Sequence, residues 1–185
     1  FDGRGGLDTA AYHLDTAVTG AIDVNLAAGT VTGDASVGTD TLRSVENIIG
    51  TRFADTFVAT GFSGTSTNAG SFGTTNSFEG MAGDDTVTGN GSTIMVFVRA
   101  TGAVTADILT GTATGNASVG TDSFTGVNAV SGSQFNDTID GQDNAAGLGD
   151  TFDGRAGNDT FDGRGGLDTA AYHLDTAVTG AIDVN

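Results

Sequence analysis

Three aspartates, Asp150, Asp159 and Asp168, stand nine residues apart in a stretch whose turns are built from glycine. Short carboxylates beside the peptide carbonyls of such turns form the donor set of a hard cation. Ca2+ gathers about six to eight oxygens at roughly 2.3–2.6 Å. A plainer role is open to the same residues, in which each Asp holds its turn by accepting backbone N–H bonds. Catalysis has less to draw on. The chain has no Cys, its six basic residues are all Arg, and its two His, His13 and His173, are one repeat position seen twice. Paired carboxylates such as Asp84 and Asp85 could in principle act on a glycan. They lie inside a turn of the same type, so a structural role is expected of them, and no enzymatic activity of the chain.

The segments that must position these aspartates are two nonapeptides in register. Gly154, Gly157, Asp159 and Thr160 return nine places later as Gly163, Gly166, Asp168 and Thr169. A nine-residue period is too short for a helical repeat and fits half a turn of a coiled β-ribbon. Its Gly-rich half bends and its Asp-Thr-apolar half extends as a short strand. Asp150 and Asp168 should then share one edge of the ribbon and Asp159 the other, with an ion expected between the turns 145–150 and 163–168. An isolated third copy runs from Gly80 to Val87 and contains Asp85. The tripeptide Asp-Thr/Ser-apolar recurs at Asp8, Asp40, Asp55, Asp85, Asp122 and Asp137 as well. Strand alternation makes its Thr face outward and its apolar residue inward.

These nonapeptides resemble the RTX, or haemolysin-type, calcium-binding repeats, whose unit reads G-G-x-G-x-D-x-U-x with U a large apolar residue. Gly154, Gly157, Asp159 and Phe161 match the first unit, and Gly163, Gly166 and Asp168 the second. Arg155 and Arg164 replace the second Gly, and a small Ala170 stands at U. The resemblance implies a right-handed parallel β-roll with calcium held between successive turns of one edge. Its ligands would be carboxylates of Asp150, Asp159, Asp168 and Asp85 and turn backbone at Gly154, Gly163 and Gly165. It also implies a bacterial extracellular or cell-surface protein secreted by a type I route, unfolded in a low-calcium cytoplasm.

Composition points the same way. A chain of 185 residues would ordinarily carry about nine Pro, and this one has none, so nearly all its amides are free to join ladders. The net charge of −17 argues against nucleic acid and anionic membranes as partners and makes cations the natural counter-charge. No apolar run approaches the ~18 residues of a membrane span. Absence of Cys rules out a disulfide framework and a thiolate metal site.

Longer repeats organise the rest. Residues 1–25 return unchanged as 161–185, an offset of 160, so 1–160 reads as one tandem unit and 161–185 as the start of the next. Within the unit, half-repeats at about 10–60 and 96–142 are offset by 82, as in Ala35-Ser36-Val37-Gly38-Thr39-Asp40 and Ala117-Ser118-Val119-Gly120-Thr121-Asp122; the nonapeptide block spans 145–171. Two segments depart from the pattern. Residues 59–77 read as a polar loop or a side flap packing Phe62 and Phe72, and Ile94 to Val98 as a strand buried on both faces.

The expected fold is all-β, a right-handed parallel β-roll or β-solenoid of tandem repeats. The expected function is a calcium-stabilised structural repeat of a secreted fibre, adhesin stalk or surface-layer protein. Its partners would be further copies of itself in a tandem or head-to-tail array, and a cell surface or its polysaccharide. Two alternatives are a calcium-folded accessory module of a secreted toxin or hydrolase, and an ice-binding solenoid using outward Thr such as Thr30, Thr32, Thr86 and Thr88.

Overall fold

The computed structural model describes residues 1–69 and 73–172. Over them the chain is all-β, with fifteen strands in one sheet and no helix. Ten of the fourteen strand pairings are parallel. Parallel neighbours must be joined by crossovers, and here each crossover is itself a strand of a second row. In chain order, β1 (Thr9–Ala11) lies in the first row. β2 (Ile22–Asn25), β3 (Thr30–Gly33) and β4 (Thr39–Thr41) lie in the second, β5 (Asn47–Ile49) in the first, β6 (Thr56–Val58) in the second and β7 (Asn76–Glu79) in the first.

Two eleven-residue strands then serve both rows. β8 (Thr86–Val96) pairs with β6 through its first three residues and with β7 through Thr93 to Met95. β9 (Thr105–Asp107) and β10 (Thr112–Thr114) belong to the second row, and β11 (Thr121–Ser131) again passes from second to first beside β8. The strands bend where Gly89 and Gly126 touch; a Cβ on Gly126 would sit 2.7 Å from the Gly89 carbonyl oxygen. β12 (Thr138–Asp140) and β14 (Thr160–Asp162) extend the second row, β13 (Thr151–Asp153) and β15 (Thr169–Ala170) the first.

The rows pack face to face through the inward residues of the alternation. Ala10, Ile48, Phe78, Met95, Val130 and Phe152 line the first row, and Val24, Phe57, Val87, Phe124 and Ile139 the second. Phe57 stacks on Phe78 across the core with ring centroids 5.0 Å apart, and Phe152 stacks on Phe161 at 5.7 Å. Each fully buried Phe contributes about 1.5–3 kcal/mol of transfer free energy. Outward partners of these residues are the Thr of each Asp-Thr-apolar tripeptide, exposed at Thr9, Thr86, Thr138, Thr151 and Thr160.

A purely parallel arrangement does not hold at two places. β2–β3–β4 and β9–β10–β11 are antiparallel meanders, and they are the same meander, since their strands are related by the offset of 82. Short polar side chains close the turns. Asn25 and Asp107 accept from the amides of Ala28 and Thr110, and Asp34 and Asn116 accept from Ser36 and Ser118. An Asx side chain bonding the backbone two or three residues on makes a tight turn cheap without a crossover.

The two departing segments are also packed differently from expectation. Ile94, Val96 and Val98 are half-buried while Met95 and Phe97 are buried, so the apolar run has one core face and one partly covered face. In residues 59–69, Phe62 is buried in the core, and Asn68 is fully buried and bonds both the amide and the carbonyl of Val45, at 3.0 and 2.6 Å. That pair of bonds pins the segment against the approach to β5, in place of a solvent-facing loop. Phe72 lies outside the described residues.

Candidate cation-binding turns

Six of the Asp residues that stand before a strand accept an amide at the start of the neighbouring strand in the row, whereas Asp40 accepts from the Tyr12 hydroxyl and Asp150 from Gln142 and Asn144. At the start of the second row, Asp55 accepts from Ile22 N, Asp85 from Asp55 N, and Asp122 from Asp85 N, at 2.9, 2.7 and 2.9 Å. Beyond the β9–β10 meander the pattern resumes, Asp137 accepting from Val104 N and Asp159 from Asp137 N, at 2.7 and 2.9 Å. On the other edge Asp168 accepts from Asp150 N at 2.9 Å, and Glu46 takes the same part toward Asp8 N at 3.2 Å. These strand-start amides have no ladder partner of their own, and the carboxyl oxygens satisfy them.

Glycine five residues earlier makes room for five of these carboxylates, while Asp122 has Ala117 at that place. At Gly50, Gly80, Gly132, Gly154 and Gly163 the atom nearest to an added Cβ is Oδ2 of Asp55, Asp85, Asp137, Asp159 and Asp168 respectively. The turn between has two forms. In one, a hydroxyl follows the Gly: Thr51 and Ser133 donate to Oδ1 of Asp55 and Asp137 at 2.8 and 2.7 Å and accept from Phe53 N and Phe135 N. In the other, the next residue is left-handed and a Gly at φ near 125° follows two places later, as at Gly157 and Gly166. The left-handed residue is Met81 (φ 75°), Arg155 (φ 65°) or Arg164 (φ 55°), at the position where the nonapeptide pattern has its second Gly. A non-Gly residue there costs about 1–2 kcal/mol.

The predicted ligands fall into three groups. Asp150 and Asp168 share one edge. There the turn 163–168 lies directly on the loop 141–150: Asp143 bridges to Gly165, Gly165 O accepts from Asn144 N at 2.8 Å, and Leu167 N donates to Leu148 O at 2.8 Å. Asp150 is buried and its oxygens accept from Gln142 N (2.7 Å), Gln142 Nε2 (3.1 Å) and Asn144 Nδ2 (3.0 Å). Gly163 sits against Asp168. Asp159 and Gly154 lie on the opposite edge, against the turn 132–137, where Asn158 N also donates to Asn136 Oδ1 at 2.8 Å. Asp85 stands apart in the line from Asp55 to Asp122. It is buried with Oδ2 unpartnered, and burial pushes its carboxyl up to about 8. Burial likewise raises Asp122, to about 7, and Asp55.

Among the described residues, no three Asp, Glu or His side chains converge as a ready-made metal cluster. The donors at the turns are nevertheless hard oxygens of the kind Ca2+ takes. With Asp150 already accepting from Gln142 and Asn144, most of a coordination sphere there would have to come from peptide carbonyls.

Sequence reasoning missed a second acidic feature. Asp107, Asp140 and Asp162 are cross-strand partners in β9, β12 and β14, so three carboxylates stand in a row on the outward face. Arg164 reaches back over them. Its guanidinium bonds both oxygens of Asp107 at 2.8 and 2.9 Å, the Gly141 carbonyl at 2.7 Å, and lies 3.5 Å from Asp140. The Arg164 bonds hold the Asp107 carboxyl down at about 2. The signal available was the matching Asp at the end of 105–107, 138–140 and 160–162, each two residues after a Thr.

Elsewhere, Tyr12 donates to Asp40 at 2.9 Å, and burial together with that carboxylate raises its pKa. A hollow of about 160 Å3 beside Tyr12 and His13, lined also by Val18, Arg52 and Met81, contains none of the predicted ligands. Of the proposed carboxylate pair, Asp84 accepts from Thr121 N at 2.8 Å and Asp85 from Asp55 N, so both serve the backbone. No protein-family model matches the chain, and no curated protein matches it.

Proposed function

We propose that the chain is a calcium-stabilised structural repeat of a bacterial extracellular fibre, adhesin stalk or surface-layer protein, wound as a right-handed β-solenoid of the RTX kind. The observation that carries this reading is the stacking of like turns on like edges, with the turn 163–168 seated on the loop 141–150 and Asp168 joined to Asp150 N. Asp150, Asp159 and Asp168, with peptide oxygens of Gly154, Gly163 and Gly165, are the groups that would hold Ca2+, and Asp85 would be an isolated site. Bound ions would offset the self-repulsion of a chain with net charge −17 and add their binding free energy to folding. A core only two strands deep, shared among like segments, suits a spacer. The test is a far-ultraviolet circular dichroism titration with Ca2+, with Mg2+ as control. A cooperative gain of β signal with Ca2+ alone is expected; a fully folded spectrum that ignores Ca2+ after exhaustive chelation would overturn the calcium reading.

One observation favours a second reading. Outward residues of the second row align across strands: Thr112, Ser123, Thr86 and Thr56 stand in one register line that continues through Asp23 to Thr32 and Thr39. Neighbours in such a line are about 4.8 Å apart, and the two outward residues of one strand about 7 Å. A hydroxyl and methyl lattice of this kind suits ordered water, as in ice binding. Freezing-point hysteresis of the purified chain is the measurement, and solution freezing with no hysteresis removes this reading.

A further inference from the structure

Asn90 is the one asparagine of the chain that is followed by glycine, and Asn90-Gly91 sits at the bend of β8. Asparagine is a thermolabile residue. Before glycine it is at its most labile, because the missing Cβ lets the backbone fold until the glycine nitrogen meets the asparagine Cγ. Gly91 is exposed and left-handed, at φ 84°, and a Cβ there would meet nothing within 4 Å. The side chain of Asn90, by contrast, is tied at both ends. Nδ2 donates to Phe62 O at 3.1 Å and to Thr74 O at 2.8 Å, while Oδ1 accepts from Ser92 N at 2.9 Å and from Asn76 Nδ2 at 3.1 Å. Asn90 N donates to the hydroxyl of the fully buried Thr93 at 3.1 Å. The two carbonyls belong to the segment between β6 and β7, so one carboxamide staples that segment to the bend.

We propose that Asn90 is a deamidation site gated by the fold, closed while the staple holds and open when the bend is released. The reaction needs only water and a base. Hydroxide takes the Gly91 N proton, that nitrogen bonds Asn90 Cγ, the Cγ–Nδ2 bond breaks and Nδ2 leaves as ammonia. Water then breaks the bond from Gly91 N to Cγ, leaving aspartate, or the bond to the Asn90 backbone carbonyl carbon, leaving isoaspartate. In the fold the carboxamide cannot turn toward Gly91 N without giving up its bonds to Phe62, Thr74, Ser92 and Asn76. The rate therefore follows the population of the opened bend. The product does not fit back. A carboxylate has no proton to give, and one of its oxygens would face the Phe62 and Thr74 carbonyls. Phe62 O loses the Asn90 donor, whereas Thr74 O keeps Asn76 Nδ2. Neither calcium nor the purpose of the solenoid enters here; time spent open is recorded in the chain as an amide turned to an acid.

To test the gate, the full chain is held at one mildly alkaline pH and one temperature, folded with Ca2+ in one sample and in concentrated urea in the other, and peptide masses are followed in time. In urea, Asn90 should gain the mass of an amide turned to an acid before any other asparagine, and Gly91→Ala should slow that change. In the folded sample it should be slower by at least about tenfold. Equal rates in the two samples, or a different asparagine reacting first in urea, would overturn the gate. Release of the staple is read separately, by digestion with chymotrypsin. Phe62 is 2% exposed, so cutting after it requires the segment to lift. Asn90→Asp, with its β signal confirmed by circular dichroism, should be cut there several-fold faster than the unaltered chain. Should that variant lose its β signal, a partly reacted sample returned to folding buffer takes its place, and the chains cut at Phe62 should be those that carry the acid. Cutting at an unchanged rate, or without enrichment of the acid, removes the staple's part in the proposal.

Discussion

Gly80→Ala is expected to destabilise the chain by about 2–5 kcal/mol, measured by chemical denaturation against the unaltered chain. A Cβ at residue 80 would fall inside Oδ2 of Asp85, which lies against the Gly80 Cα. Asp85 has no room to retreat, because it is 1% exposed with Asp55 and Asp122 on either side in the same line. If the carboxylate rotates away, the buried Asp55 amide loses its acceptor, at a cost of about 1–3 kcal/mol. If it stays, the backbone must shift, at a similar cost for overpacking. Gly64→Ala is the control, since a Cβ there meets nothing within 4 Å. A loss at Gly80 no greater than at Gly64 would show that the Gly and Asp five residues apart are not a coupled pair.

In the absence of divalent cations, stability should fall as pH rises from 5.5 to 8.5, with a melting temperature lower at pH 8.5 by on the order of 5 °C. Burial raises Asp85 from its ordinary 3.8 to about 8 and Asp122 to about 7. Between the ordinary and the raised value, the folded chain keeps protons that the unfolded chain has released. Stability from these groups is therefore fully present below about 3.8 and is lost as pH rises through about 7 and 8. Asp122→Asn keeps an oxygen for the Asp85 amide and removes one buried charge. It should flatten the pH dependence and stabilise the chain at pH 8.5 by about 1–2 kcal/mol. Thermal melts in chelator across this range decide it. A variant that melts lower than the unaltered chain at pH 8.5 would mean that the ionised Asp122 is itself stabilising.

How much of this was legible depends on which interactions are local. An Asp-Thr-apolar tripeptide carries its own alternation, so the outward Thr86 and inward Val87 follow from three letters. Nine-residue spacing places Asp159 across from Asp150 and Asp168 in the same way, by counting half-turns. What the carboxylates bond to is not local. Asp55 reaches the amide of Ile22, 33 residues away, and only the completed row reveals that this amide has no ladder partner. The meanders hid because Val24, Val31 and Ala113 alternate as any strand does. Parallel or antiparallel pairing is decided by the turn, and the Asx turn at Asp34 has only Asp34 and Ser36 to announce it. Asn68 lies among Ser, Thr and Gly, and its burial depends on meeting Val45, which no local pattern encodes.

The alternation between the two rows has a consequence for how such a gene can grow. A single duplicated nonapeptide would send every later turn to the opposite edge, parting Asp carboxylates from the amides they serve. Duplication in whole round trips leaves each turn above its like. The shift of 82 carries the first meander onto the second after three round trips, and the shift of 160 returns β1 to β15 after six. Both observed offsets are therefore whole numbers of paired passages, and an insertion of an odd passage would not close on the existing edges.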